Sequence, residues 1–230
     1  MNKIFAESLF FGVVISLAGY ELGILMKRKL KSPLCNPLLI SVIFVISTLL
    51  LFRVDYEVYY EGGKYLSYLL TPATVCLAVP LYRQMTLLKK NWRAIFAAIL
   101  SGVFSGLITI FLLAKLFGFS HEQYVTLLPK SITTAIGMGV SEQLGGIVTV
   151  TVIVILVTGI LGNVIAEPVF RLFRIREPIA KGLALGTSAH AIGTAKAMEL
   201  GEVEGAMSSL SIAVSGILTV AAAAFFADLL

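Results

Sequence analysis

Two short stretches hold the side chains that could do chemistry in an otherwise apolar chain. The first is Leu128-Pro129-Lys130-Ser131, followed by Thr133 and Thr134. Lys130 is a cation among apolar residues, and three hydroxyls follow it within four positions. A charge deep in a bilayer costs roughly 2.5–3.5 kcal/mol on insertion scales, so such residues usually mark a pathway. A lysine among hydroxyl donors suits a small carboxylate. The alternative is that Lys130 snorkels to the outer interface. The second stretch runs Gly186-Thr187-Ser188-Ala189-His190-Ala191-Ile192-Gly193-Thr194. Thr187, Ser188 and Thr194 again offer hydroxyls. Histidine's ordinary pKa lies near neutrality, so His190 suits a proton relay, or else a hydrogen-bonded packing role. Glu142 is a second candidate relay. Ser188 and His190 are two apart and do not face each other on a helix, so a serine-hydrolase dyad is not supported. Lys196 and Glu199 stand at ion-pair spacing.

The elements that position these residues are read from composition. The chain has 230 residues, 58% hydrophobic and only 13% charged, with mean hydropathy +0.94. About a quarter of residues are charged in soluble domains, so a soluble globule, a disordered chain and a disulfide scaffold are all excluded. Apolar runs at 4–26, 37–52, 65–81, 94–117, 146–170 and 205–230 predict six transmembrane helices. Asn36 and Pro37 predict a capped start for the second run. The fold class expected is an all-α polytopic membrane protein: six spans plus two discontinuous or re-entrant segments. Residues 1–230 then form one integral membrane domain. Residues 1–117 supply four spans, and residues 118–230 supply two broken segments, each followed by a span.

The net charge of +5 is a topology signal rather than a nucleic-acid signal. Three clusters hold 12 of the 18 Lys and Arg residues: Lys27–Lys31, Arg83–Arg93 and Arg171–Lys181. The positive-inside rule places them in the cytoplasm and the amino terminus outside. Two weaker stretches between the runs, Leu127–Gly145 and Gly182–Gly201, are rich in Gly, Ser, Thr and Ala, and these two weak segments then enter from opposite faces. At an offset of 56, Ala135-Ile136-Gly137 falls on Ala191-Ile192-Gly193, and Ser131 falls on Thr187. With one further residue of shift, Gly159-Ile160-Leu161 falls on Gly216-Ile217-Leu218. Paired, glycine-interrupted segments of inverted topology point to a transporter's binding site. The expected helix breaks are at Pro129, Gly137 and Gly193. The spacing shows no metal cluster, phosphate loop or hydrolase motif, so no metal, cofactor or enzyme activity is expected.

Several motifs together resemble the LrgB/CidB family of antiholin-like membrane proteins. They are Asn36-Pro37-Leu38-Leu39, Pro72-Ala73-Thr74-Val75 through Ala78-Val79-Pro80-Leu81-Tyr82, Leu128-Pro129-Lys130-Ser131 with Thr133-Thr134, Gly186 through Ala195, and Glu204-Gly205-Ala206 with Ser208-Ser209-Leu210. The chain is also similar to the carboxy-terminal half of the plastid glycolate/glycerate translocator. The resemblance implies two alternatives. One is control of murein hydrolase activity and cell lysis with a small holin-like LrgA/CidA membrane partner. The other is carriage of small monocarboxylates such as glycolate, glycerate or pyruvate. A family proline often follows Thr133-Thr134. Here Ala135 stands there, so a break would rest on Gly137. The expected location is the bacterial plasma membrane, with a homodimer as one plausible assembly. The expected site combines Lys130, Ser131, Thr133 and Thr134 with Thr187, Ser188, His190 and Thr194.

Overall fold

A computed structural model describes residues 10–30 and 36–230. The described residues form eleven helices and no strand, and they divide into two compact units at Cys76. The protein is an all-α polytopic membrane protein.

The amino-terminal unit contains α1 (Phe11–Leu30), α2 (Pro37–Phe52), α3 (Tyr56–Tyr68) and α4 (Leu70–Cys76). Asn36 caps α2 through its side-chain oxygen, which accepts from the Leu38 and Leu39 amides at 2.9 and 3.3 Å. Pro37, with no N–H to satisfy, follows as the first helical residue. Gly12 and Gly23 let α1 approach backbone on its neighbours. A side chain at 12 would strike Tyr59 O and Gly63 N, and one at 23 would strike Pro37. Small residues at such crossings are how membrane helices pack without a hydrophobic driving force.

The second unit runs from Leu77 to Leu230. It contains α5 (Ala78–Arg83), α6 (Met85–Phe117), α7 (His121–Leu127), α8 (Thr134–Gln143), α9 (Val148–Leu172), α10 (Pro178–Leu200) and α11 (Glu202–Ala227). Its core is a stripe on α6, Ile95, Ile99, Val103, Leu107 and Ile110, packed with Tyr124, Leu128, Leu183, Met207 and Phe226. The stripe repeats at three or four residues because only that period keeps one helical face inward. The Tyr124 hydroxyl, fully buried, donates to Phe226 O at 2.8 Å. α10 and α11 touch through backbone. Side chains at Gly182 and Gly186 would strike the Glu204 and Ser208 carbonyl oxygens.

Four stretches are long and apolar enough to cross a membrane by length and composition: Tyr56–Arg83, α6, α9 and α11. α2 is apolar but has 16 residues, short of the roughly 20 a straight span needs. α1 carries Glu21 and Lys27, Arg28 and Lys29, which dilute its apolar run. Residues 4–9 of the first predicted span, together with Lys31 and Cys35, lie outside the described residues.

Both weak segments are broken. Between α7 and α8 the chain turns at residues 128–133, which include Pro129. Within α10, Ala189 (φ −126°, ψ 15°) and His190 (φ 41°, ψ −132°) leave helical geometry. Thr134, the first residue of α8, differs from His190 by the offset of 56 that aligns the sequences. The breaks do not fall at Gly137 or Gly193. Both glycines lie inside helical turns beyond the break, and what they supply there is close approach rather than a bend. Gly137 faces the Ile155 δ-methyl, and Gly193 faces Leu185 O.

Candidate functional site

A cavity of about 510 Å³ opens inside the second unit. Three elements line it: the middle of α6 with Gly102, Ser105, Gly106 and Thr109, the turn after α7 with Lys130 and Ser131, and the first half of α10 with Thr187 and Ser188. The cavity is therefore lined by the turn at the first break and by the turn of α10 that leads into the second. Ser131 and Thr187, aligned at the offset of 56, both line it.

Lys130 is the single charged residue lining the cavity among the described residues. Its Nζ donates to Ser131 Oγ at 2.8 Å. An ammonium has three donors, so two remain for another group. The Ser131 hydroxyl accepts this bond and keeps its own proton to donate. Thr187 is 7% exposed, and its Oγ1 has no hydrogen-bond partner, alone among the fully buried side-chain polar atoms described. A buried hydroxyl left unpaired costs about 1–3 kcal/mol. The other lining hydroxyls are already donors to their own helices. Ser105 donates to Gly102 O at 3.0 Å, Thr109 to Ser105 O at 2.6 Å and Ser188 to Ala184 O at 2.6 Å. They retain lone pairs that can accept. The cavity thus presents one positive charge, several free donors and a set of acceptors on an otherwise apolar wall. That inventory suits a small anion bearing a hydroxyl.

The remaining predicted residues lie elsewhere. Thr133 precedes α8 as its cap position but makes no side-chain cap bond, and Thr134 begins the helix. Both are half-buried and do not line the cavity. His190 is buried against α9. Its Nε2 lies 3.0 Å from Ile155 O, and a carbonyl can only accept, so Nε2 carries the hydrogen. The ring packs where Gly159 has no side chain. Thr194 donates to His190 O at 3.0 Å and lies 2.7 Å from Ser208 Oγ. His190 and Thr194 thereby secure a backbone conformation that a residue with a Cβ rarely adopts. Glu142 is exposed on α8. Lys196 pairs with Glu199 at 3.4 Å and, more closely, with Glu167 of α9 at 2.7 Å.

Sequence reasoning missed the α6 wall. Its signal is present: Ser101-Gly102 recurs as Ser105-Gly106 four residues on, a small-residue pattern inside an apolar span. The two glycines differ in role. A side chain at 102 would strike Thr187 Cγ2 at 2.6 Å, whereas a Cβ at 106 meets nothing within 4 Å. Gly106→Leu should therefore occupy the cavity without strain. Leucine also favours a helix over glycine by about 0.8 kcal/mol. The expected result is an unchanged or higher Tm with loss of whatever the cavity binds, checked by thermal unfolding and ligand binding on the same preparation.

Comparison with known proteins matches the amino-acid sequence to one family. The LrgB-like family pattern matches residues 16–229. The chain is 38% identical to the "Holin-like protein CidB" of Staphylococcus aureus (strain Mu50) over 207 residues, 90% of each chain. It is 39% identical to the "Antiholin-like protein LrgB" of Bacillus cereus (strain B4264) over 212 residues, 92% of each. No solved structure matches it. The match covers both broken segments and the cavity they line, and the chain belongs to the LrgB-like family.

Proposed function

We propose that the protein is a membrane carrier of small monocarboxylates of the glycolate, glycerate or pyruvate kind, working by alternating access. The observation that carries the reading is Thr187. Thr187 lines the same cavity as Lys130, and its hydroxyl is buried and unpartnered. Together they describe a site that an anion would complete. Lys130 would take the carboxylate, with Ser131 and Thr187 donating beside it. The hydroxyls of Ser105, Thr109 and Ser188 would accept from a 2-hydroxyl group. No residue is assigned a catalytic role, and no cofactor or metal enters the cycle.

A two-fold relation between the broken segments supports the transport cycle. Gly159 on α9 packs against Ile192, and its counterpart Gly216 on α11 packs against Ile136. The pairs exchange partners, as they would about a pseudo-two-fold axis. Likewise Gly137 faces Pro129 O, and Gly193 faces Leu185 O, again 56 positions on. With the three basic loops cytoplasmic, the segments would enter from opposite faces, which is the arrangement that lets one site open alternately. His190 and Glu142 remain the candidate proton couplers.

A second reading is favoured by the relatives' names. A holin-like or antiholin-like protein would modulate murein hydrolase activity and lysis with an LrgA/CidA-type partner, with no carrier cycle. Uptake of labelled glycolate, glycerate and pyruvate into proteoliposomes separates the two, with and without the small partner. Thr187→Val makes the test specific. Valine keeps the shape and removes an unpaired hydroxyl, so stability should rise by about 1 kcal/mol or stay level. Saturable uptake should fall roughly tenfold, one hydrogen bond's worth. Absence of saturable uptake in either preparation would favour the regulator.

A further inference from the structure

A second cavity, of about 390 Å³, lies at the junction of α9 and α10, apart from the Lys130 cavity. Arg171, Arg174, Arg176 and Lys181 line it, with Glu167 as the one carboxylate. Glu167 is already engaged by Lys196 at 2.7 Å and by Arg171 at 3.3 Å. Arg174, Arg176 and Lys181 have no carboxylate within ion-pair distance among the described residues. Four cations against one shared carboxylate is an unbalanced charge that the protein does not itself neutralise. Arg174 is also one of three described non-glycine residues at positive φ (55°), an uncommon conformation at the turn that ends α9. α10 begins at the same place. Pro178 is its first residue, and Glu177 makes no side-chain cap bond, so the helix's positive end is left uncapped. The exposed Glu177 is the other carboxylate in this turn and does not line the cavity.

Arginine forks match the oxygens of a phosphate group in a way that a single lysine does not. We propose that this pocket binds a phosphate-bearing anion. Its position favours a lipid headgroup as the source. α9 is a membrane-length apolar helix that ends at Leu172. Leu172 and Phe173, between Arg171 and Arg174, are 76% and 69% exposed. An apolar pair facing outward beside a basic pocket fits the boundary between acyl chains and headgroups. Glu167 links the pocket to Lys196, which lies beyond the break of α10. A bound anion would compete with Glu167 for Arg171 and leave that carboxylate to Lys196, bracing the second half of α10 against α9.

The inference does not depend on carriage, so its test reads binding. The full-length protein, purified in detergent, is titrated with phosphatidylglycerol, phosphatidylcholine or inorganic phosphate. Retained lipid is followed by native mass spectrometry and Tm by thermal unfolding. Retention and a Tm rise with phosphatidylglycerol alone support a lipid headgroup. An equal Tm rise with inorganic phosphate supports a soluble phosphate-bearing ligand. No selectivity over phosphatidylcholine together with no response to phosphate overturns the proposal. The triple variant R174Q/R176Q/K181Q should bind roughly a hundredfold more weakly, and K181Q alone roughly fivefold, as expected for each cation lost. The single variant keeps the test open if the triple variant does not fold. K89Q/K90Q/R93Q removes the same charge from exposed positions on α6 and should bind as wild type. Equal loss in that variant would show a net-charge effect and overturn the pocket assignment.

Discussion

Lys130→Met should remove saturable carboxylate uptake almost completely while the protein still inserts and folds. The ammonium lines the cavity and makes one described hydrogen bond, to Ser131. Losing the charged partner of a desolvated pair costs about 2–4 kcal/mol, or roughly 30- to 1000-fold in uptake efficiency. Methionine keeps the length and the apolar stem of lysine. A partly buried charge without a carboxylate partner contributes little to stability, so the folded yield and Tm should hold or rise. Two measurements on one preparation decide it: uptake kinetics in proteoliposomes and thermal unfolding. Wild-type uptake in the variant would remove Lys130 from the site. A parallel loss of uptake and of folded protein would give Lys130 a structural role instead. Lys130→Arg adds a finer test. It keeps the charge but places a larger planar group in a cavity of about 510 Å³, so partial activity with altered substrate preference is expected.

Gly193→Ala should be clearly destabilising, and its counterpart Gly137→Ala should be mild. The two positions are equivalent at the offset of 56, yet their surroundings differ. A Cβ at 193 would strike Leu185 O and approach Ala189 Cβ at 2.7 Å and Leu185 C at 3.1 Å. Backbone atoms cannot rotate aside. The second half of α10 sits hard against the end of the first because the chain reverses its geometry over only Ala189 and His190. Overpacking of this kind costs about 2–3 kcal/mol, a Tm drop of roughly 5–10 °C for a chain of this size. At 137 the contact is the tip of Ile155, which can turn away, and Pro129 O stands 3.5 Å off. Alanine also favours helix there by about 1 kcal/mol. The net change should be under about 1 kcal/mol. Equal Tm values for the two variants would mean that the halves of α10 are not in this contact.

The contrast between those glycines shows how far a sequence reading reaches. Local chemistry was legible where it is decided within a few residues. Asn36-Pro37 states its own helix start, because the cap oxygen and the missing N–H act over two positions. Lys130 stood out because a charge in an apolar run is expensive wherever it lands. The two weak segments were visible as departures from apolar composition, and both are broken. Placing a break on a glycine was the natural inference from glycine's freedom. Here His190 takes the unusual dihedrals instead, because Ile155 O holds its ring and Thr194 holds its carbonyl. Thr194 is four residues on, but Ile155 is 35 residues away and is brought to the ring only by packing.

By itself the sequence determined the class, the helical content and the shortlist of polar groups, since hydropathy, caps and charge scarcity are properties of short windows. Family membership was legible there too, through motifs spread along the chain. Only the tertiary structure decided which polar groups share a cavity. It put Ser105 and Thr109 of α6 beside Lys130, and it turned His190 and Thr194 away toward α9 and α11. It also showed that Thr187 is buried with its hydroxyl unpaired. Hydrogen-bond satisfaction is a sum over neighbours from distant helices, and those neighbours are chosen by packing.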